Sequence, residues 1–254
     1  MALSPMFILA LLLTCLLQSG CGSKESAQVA TSSGGAPQEA GLTQPGDTAD
    51  SVVVAAEDGA VVARINAAEI KGKELNRAVN TALEQNPHLR SMIGSDDQMG
   101  EFVNSVLKQL ISTELLFQEG QRFPLEGLDD RVQEQYDKLV ATFPSEAEFR
   151  AALQGEGMDE AGLRAQISKG VQIENLIDQK VRKGIAVSEE EARDFYEKNQ
   201  AQFMSGEGGQ EKAVPFDEIK EKIQLYLEQQ AVQEQLAAYV GSLESAANVE
   251  VFLK

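Results

Sequence analysis

Only two stretches of this chain read as β-strands, and they stand far apart. "AVVARINAAEI" (60–70) places Val61, Ala63 and Ile65 on one face, with β-branched residues prominent. "NVEVFLK" (248–254) does the same with Val249, Val251 and Leu253. A lone strand leaves its backbone donors and acceptors without partners, which is costly once buried. The two stretches must therefore pair into a small two-stranded sheet. That pairing closes everything between them into one module, residues 59–254.

The interior of that module reads as helix throughout. Leu75, Val79, Ala82 and Leu83 recur at helical spacing over 72–86, and Asn86-Pro87 stops the run. "SDDQ" (95–98) fits a capping box before a long helix to about Arg122, carrying Phe102, Val106, Leu110 and Leu115. A further helix spans 128–142 and ends before Pro144. "SEAE" (145–148) starts a short one that ends at Gly155. "MDEAGLRAQISKGVQIENLIDQKV" supplies Leu163, Ile167, Val171, Leu176 and Ile177 for the next. "SEEE" (188–191) caps one more, and Pro215 stands near the first turn of a last long helix. Between those two lies "FMSGEGGQEKAVPF" (203–216), whose three glycines in four residues exclude helix.

The N-terminal part has a different character. "MFILALLLTCLL" has the length of a secretory h-region and is short for a membrane span, so residues 1–20 read as a signal peptide. "LLQSGCGS" is similar to a lipobox ending at Cys21, with Gln18 where leucine is usual. Cleavage of an ordinary signal peptide near Gly20 or Gly22 is the alternative. Residues 21–58 then form a lipidated N-terminus and a Ser-, Gly- and Pro-rich linker. Such a composition is too polar to order itself, and residues 22–58 have a random-coil reach of about 35 Å. The valines of "SVVVAA" (51–56) begin some order at the end of this stretch, and Asp58-Gly59 reads as a turn. Gly22 after Cys21 lacks the aspartate that retains many lipoproteins in an inner membrane, which points to the periplasmic face of an outer membrane.

Charge and chemistry narrow the functional classes. Forty acidic residues against 22 basic ones give a net charge of −18, which repels nucleic acid. With Cys15 in the signal and Cys21 acylated, no thiol is left for a disulfide or a metal. His88 is the sole histidine and reads as part of a turn. No phosphate loop, nucleophile elbow, HExxH or CxxC occurs. Asp129-Asp130 and Glu189-Glu190-Glu191 read as solvated helix starts, and "GSDDQMGE" lacks the spacing of a calcium loop. No catalytic residue, metal or cofactor is expected. What remains is adaptable hydrophobicity near loops: Met92, Ile93, Met99, Phe102, Phe203 and Met204, with Met158 in another turn. Methionine-rich surfaces suit low-specificity binding, although each such residue also fills core gaps. The first six are the candidate client contacts.

The order of these segments resembles the SurA/PrsA group of extracytoplasmic chaperones and foldases over about residues 60–254. "VVARINAAEIKGKELNRAV" resembles its opening and "LKQLISTELLFQEGQRF" its long helix. "FPSEAEFRAALQGEGMDEAGLRAQISKGVQIENLIDQKV" resembles its central segment. "VSEEEARDFYEKNQAQF" is the motif that leads into a parvulin prolyl-isomerase domain there, and residues 215–253 resemble the returning helix and strand. Ala67 departs from the glycine usual after Asn66. A domain with its own core needs several dozen residues. Residues 204–214 are therefore a short loop in place of the parvulin domain. The resemblance implies an all-α SurA-like chaperone module that holds unfolded exported or outer-membrane polypeptides without ATP. A scaffold lipoprotein with one dedicated partner and a foldase with prolyl-isomerase activity are the alternatives.

Overall fold

The computed structural model describes residues 53–205 and 212–253. The signal, Cys21 and most of the linker lie outside the described residues. The fold is helical, with eight α-helices and a small antiparallel sheet among those residues.

The two ends pair as the strand argument requires, with one addition. The stretch 60–70 is a hairpin rather than a single strand: β1 (Val61–Ile65) turns at Asn66-Ala67 into β2 (Ala68–Lys71). Asn66 alone takes the left-handed conformation there, at φ 54°. Asparagine tolerates that region, and Ala67 does not enter it, so the turn has no need of a glycine at 67. The C-terminal strand β5 (Val249–Val251) lies on the other side of β1, so the sheet is three-stranded in the order β2-β1-β5. Ala63 faces Val251 and Ile65 faces Val249. Asn66 locks the junction twice: its N–H donates to the Asn248 carbonyl at 2.8 Å, and its Oδ1 accepts from the Asn248 N–H at 3.0 Å. A bulge between Val61 and Ala63 breaks strict alternation, consistent with burial of Val62 and Ala63 together.

The helices follow the expected order. α1 (Gly72–Gln85) buries Leu75, Val79 and Leu83 on one side. Asn86-Pro87 ends it but also starts α2 (Pro87–Met92), because proline is preorganised for a first helical position. α3 (Asp96–Gly120) is capped by Ser95, whose hydroxyl accepts from the Gln98 N–H. The Gln98 side chain does not close the capping box; it accepts from the N–H of Gly94 instead. α4 (Leu128–Val140), α5 (Glu146–Gly155) and α6 (Glu160–Ile177) follow, and a π-helical turn (Asp178–Arg182) extends α6. α3 and α6 cross closely at Gly120, where a Cβ would meet the Gln172 carbonyl oxygen at 3.1 Å. α7 (Glu189–Lys198) begins with a complete capping box between Ser188 and Glu191.

Between α7 and the last helix, a 3₁₀ turn (Gln200–Phe203) leads into β3 (Met204–Ser205), which pairs with β4 (Lys212–Ala213). The Val214 N–H donates to the Phe203 carbonyl, and the Tyr196 hydroxyl donates to the Val214 carbonyl. The described flanks of the expected loop are thus a closed ladder. α8 (Phe216–Ala246) then runs for 31 residues, about 46 Å.

Four small cores line this frame. The first joins the sheet, α1 and most of α3, as far as Leu115. The second joins α4, α5 and the start of α6, with Phe149 edge-on to Tyr136 and Phe143. The third joins the end of α3 and the end of α6. The fourth joins α7 and the start of α8. α8 serves three of them: Phe216 and Ile223 in the fourth, Val232 and Leu236 against the third, and Leu243 against the third and first.

Order also reaches further back than the linker boundary at residue 58. Val53, Ala55 and Ala56 pack against the first core. The segment Val53–Asp58 is a strap across α1, held by Asn76 and Asn80, before the turn at Asp58-Gly59. The valines of "SVVVAA" announce some order here, but not its partners, which are two asparagines one helical turn apart on α1.

Candidate polypeptide-binding surface

The six candidate contacts fall into two groups on separate cores. Met92 ends α2 and is 74% exposed. Ile93 follows it as the cap, its N–H donating to the Leu89 carbonyl at 3.1 Å. Ile93, Met99 and Phe102 are half-buried against the first core beside Leu89. These four make one corner, where the α2–α3 turn leaves Met92 as the projecting member.

Phe203 packs against the fourth core, and Met204 follows it in sequence. Phe203 lies stacked against Tyr196, with ring centroids 5.4 Å apart, and edge-on to Phe195 at 6.2 Å. It is a packing residue of the α7–α8 lobe. Met204, on β3, is 42% exposed. Met158 packs against the second core.

The structure adds exposed apolar residues that loop proximity did not select. Leu225 and Tyr226 on α8 are 56% and 45% exposed. The Tyr226 ring lies 5.5 Å from Phe195, so it continues the aromatic cluster outward. A signal existed for Leu225 alone. Ile219, Ile223 and Leu227 mark the buried stripe of α8 at i, i+4 and i+8; Leu225 falls off it, whereas Tyr226, at i+7, sits on its rim. Val251 and Phe252 are exposed at the sheet edge, where the Arg64 guanidinium sits 5.5 Å from the Phe252 ring centre.

The charged groups around these patches hold helices together. The Glu189 carboxylate accepts from Lys220 of α8 at 3.0 Å and from Arg193 at 3.1 Å. Those two bonds hold its pKa below the ordinary carboxylate value. Glu191 is lowered by the Ser188 N–H and hydroxyl that it accepts from in the capping box. Burial, then the Glu119 carboxylate, pushes the Tyr239 hydroxyl up, which marks the contact of α8 with α3. Burial and a hydrogen bond to Glu160 do the same for Tyr136.

His88 lies exposed in the first turn of α2, a short helix rather than a plain turn. Asp96 and Asp97, Asp129 and Asp130, and Glu189 to Glu191 all occupy exposed first turns of helices. There they complement the helix dipole. Among the described residues no group of three or more His, Cys, Asp or Glu side chains is placed to hold a metal ion. No helix among them is long and apolar enough to cross a membrane.

Residues 49–177, half of the chain, match the family described as the SurA-like N-terminal domain. The chain belongs to that family. The matched span runs from just before the strap to the end of α6, so it takes in the strap, the hairpin and the first two cores. A curated relative of this SurA-like chain is the foldase protein PrsA of Clostridium botulinum (strain Langeland / NCTC 10281 / Type F), 24% identical over 157 residues. That alignment covers 56% of this chain and 46% of the relative, so the chain spans about half the length of the curated relative it matches. Among solved structures it is similar to a chain from work on PEB4 and Cj1289, described as two structurally related SurA-like chaperones of Campylobacter jejuni. The identity is 12% and the TM-score 0.45, over 77% of this chain and all of the other.

Proposed function

We propose that this SurA-like module is an ATP-independent holdase for unfolded exported polypeptides. SurA- and PrsA-like proteins are extracytoplasmic chaperones, and membership of that family supports a chaperone role outside the cytoplasm. The observation that carries the finer reading is the pair of exposed apolar patches: the Met92 corner, and Met204 with Leu225 and Tyr226 on the α7–α8 lobe. Each patch projects from its own small core on a long-helix frame. Separate patches let one extended client touch the module at several weak points, and flexible methionine contacts do not demand a sequence. Covering such segments suppresses the aggregation that exposed apolar surface drives. The acidic surface keeps the complex soluble and favours basic clients.

In this reading Cys21 carries a lipid anchor and holds the module at the periplasmic face of an outer membrane. No chemistry is performed on the client. The α7–α8 junction, only a dozen residues from Met204 to Pro215, carries a hairpin where relatives by resemblance carry the parvulin domain.

The test is light scattering. A denatured outer-membrane β-barrel protein is diluted into buffer with or without the purified chain from Gly22 onward. Suppression near a one-to-one ratio without nucleotide is expected, together with no acceleration of prolyl isomerisation in a peptide assay. Failure across several clients, with capture of one stoichiometric partner, would support the scaffold instead.

A further inference from the structure

Asn76 is a nearly buried asparagine whose polar atoms all turn to the strap. Its Oδ1 accepts from the N–H groups of Ala55 at 2.8 Å and Ala56 at 3.1 Å. Its Nδ2 donates to the Ala56 carbonyl at 2.7 Å and to the Asp58 carboxylate at 3.1 Å. One helical turn on, Asn80 brackets Val53: its Oδ1 accepts from the Val53 N–H and its Nδ2 donates to the Val53 carbonyl, both at 2.8 Å. Asn80 Nδ2 also donates to the Asn76 carbonyl, which orients it. Along Val53–Ala56, every one of these bonds ends on main chain.

Two amides spaced one turn apart therefore read an extended backbone without reading its sequence. The side chains that the strap adds are small and apolar: Val53, Ala55 and Ala56 reach the first core, and Val54 points into water. The strap joins no sheet. Its far end is a hinge that stands without it. The Ala60 N–H donates to the Glu57 carbonyl, and the carbonyls of Asp58 and Ala60 accept from Lys73 and Gly72 at the start of α1. Gly72 lets the chain pass there, since a Cβ would lie 2.0 Å from the Glu57 oxygen. Lifting Val53–Ala56 leaves the hinge and the helix start intact. It frees Asn76 Oδ1 and one of its Nδ2 hydrogens, while the Asp58 carboxylate keeps the other, so the amide stays oriented for a replacement backbone.

We infer that the Asn76–Asn80 face of α1 is a binding site for an extended polypeptide backbone with small apolar side chains, occupied in cis by Val53–Ala56 and in trans by a client segment. The site rests on the holdase reading and deepens it: the strap is a built-in competitor that keeps the site covered until a client is present. It also explains how a holdase can ask little of sequence beyond small apolar side chains, since the polar contacts are to groups that every polypeptide carries.

The experiment is amide hydrogen exchange on the full mature chain, with and without a saturating reduced, carboxymethylated, permanently unfolded polypeptide. With the client bound, the N–H groups of Val53, Ala55 and Ala56 should exchange about tenfold faster, as a local opening becomes populated. The Asn76 side-chain amide should stay protected by the client backbone. In parallel, the double variant Ala55→Pro/Ala56→Pro removes the two strap donors to Asn76 and leaves the site's residues untouched. It should raise client affinity about tenfold, the gain expected when a competent fraction of roughly one tenth becomes the whole. Client binding with unchanged exchange in the strap and unchanged affinity in the variant overturns the site and leaves the holdase standing. Absence of any client binding overturns both.

Discussion

Met92 and Phe203 are both large apolar residues beside a break in helix, and the fold treats them oppositely. Met92 ends α2 with most of its side chain in water, whereas Phe203 lies between the rings of Phe195 and Tyr196. Met92→Ser combined with Leu225→Ser should therefore weaken suppression of client aggregation severalfold and leave the melting temperature nearly unchanged. The pair of light-scattering and thermal-melting curves checks it. Phe203→Ala should instead cost about 2 kcal/mol of stability in urea unfolding, below the full cost of a deeply buried phenylalanine because Phe203 is only half-buried. Side-chain type and loop proximity were legible in the sequence at both positions. Their separation was not, because the partners of Phe203 lie on another element and nothing local announces them. Leu225 shows the converse: its exposure followed from the stripe on α8, and loop proximity was the wrong guide.

At the scale of elements, the helices were legible wherever an apolar period and a cap coincided. Ser145 and Ser188 both cap, but only Ser188 closes the capping box that "SEAE" and "SEEE" each predict. The hairpin of β1 and β2 was less so. Its turn lacks the glycine that usually marks a two-residue loop, and Ile70 is the only large apolar residue of β2. α2 was hidden because Asn86-Pro87 reads equally as a stop and as a start. How elements are joined can be tested through charge. Glu189 ties α7 to α8 through Lys220, pairs with Arg193 within α7, and has a folded pKa below the ordinary 4.5. A carboxylate lowered by folding contributes stability above its unfolded value and loses it as pH falls through the folded one. Glu189→Gln should thus lower stability at pH 7 slightly and flatten the acid limb below about pH 4.5, measured by urea midpoints across pH. Gly72→Ala sets a Cβ against the Glu57 carbonyl. It should cost about 1–3 kcal/mol by forcing the hinge of the strap away from α1.

For the whole molecule, the pairing of distant strands was the decisive constraint, and it holds: β5 joins β1 across the entire helical frame. The division into four small cores was not legible, since a helical period tells which face is buried and not against what. The same holds for the strap, whose order depends on Asn76 and Asn80. A chain starting at residue 59 should therefore melt lower than one starting at Gly22, even though both contain every helix and strand. The central claim is that exposed patches on separate cores hold an unfolded polypeptide. Its most direct test is a photo-crosslinking amino acid placed singly at 92, at 226 and at the exposed polar position 138, with an unfolded client added. The account predicts strong crosslinks from 92 and 226 and few from 138. Equal labelling at all three positions, or none at 92 and 226 while aggregation is still suppressed, would contradict it.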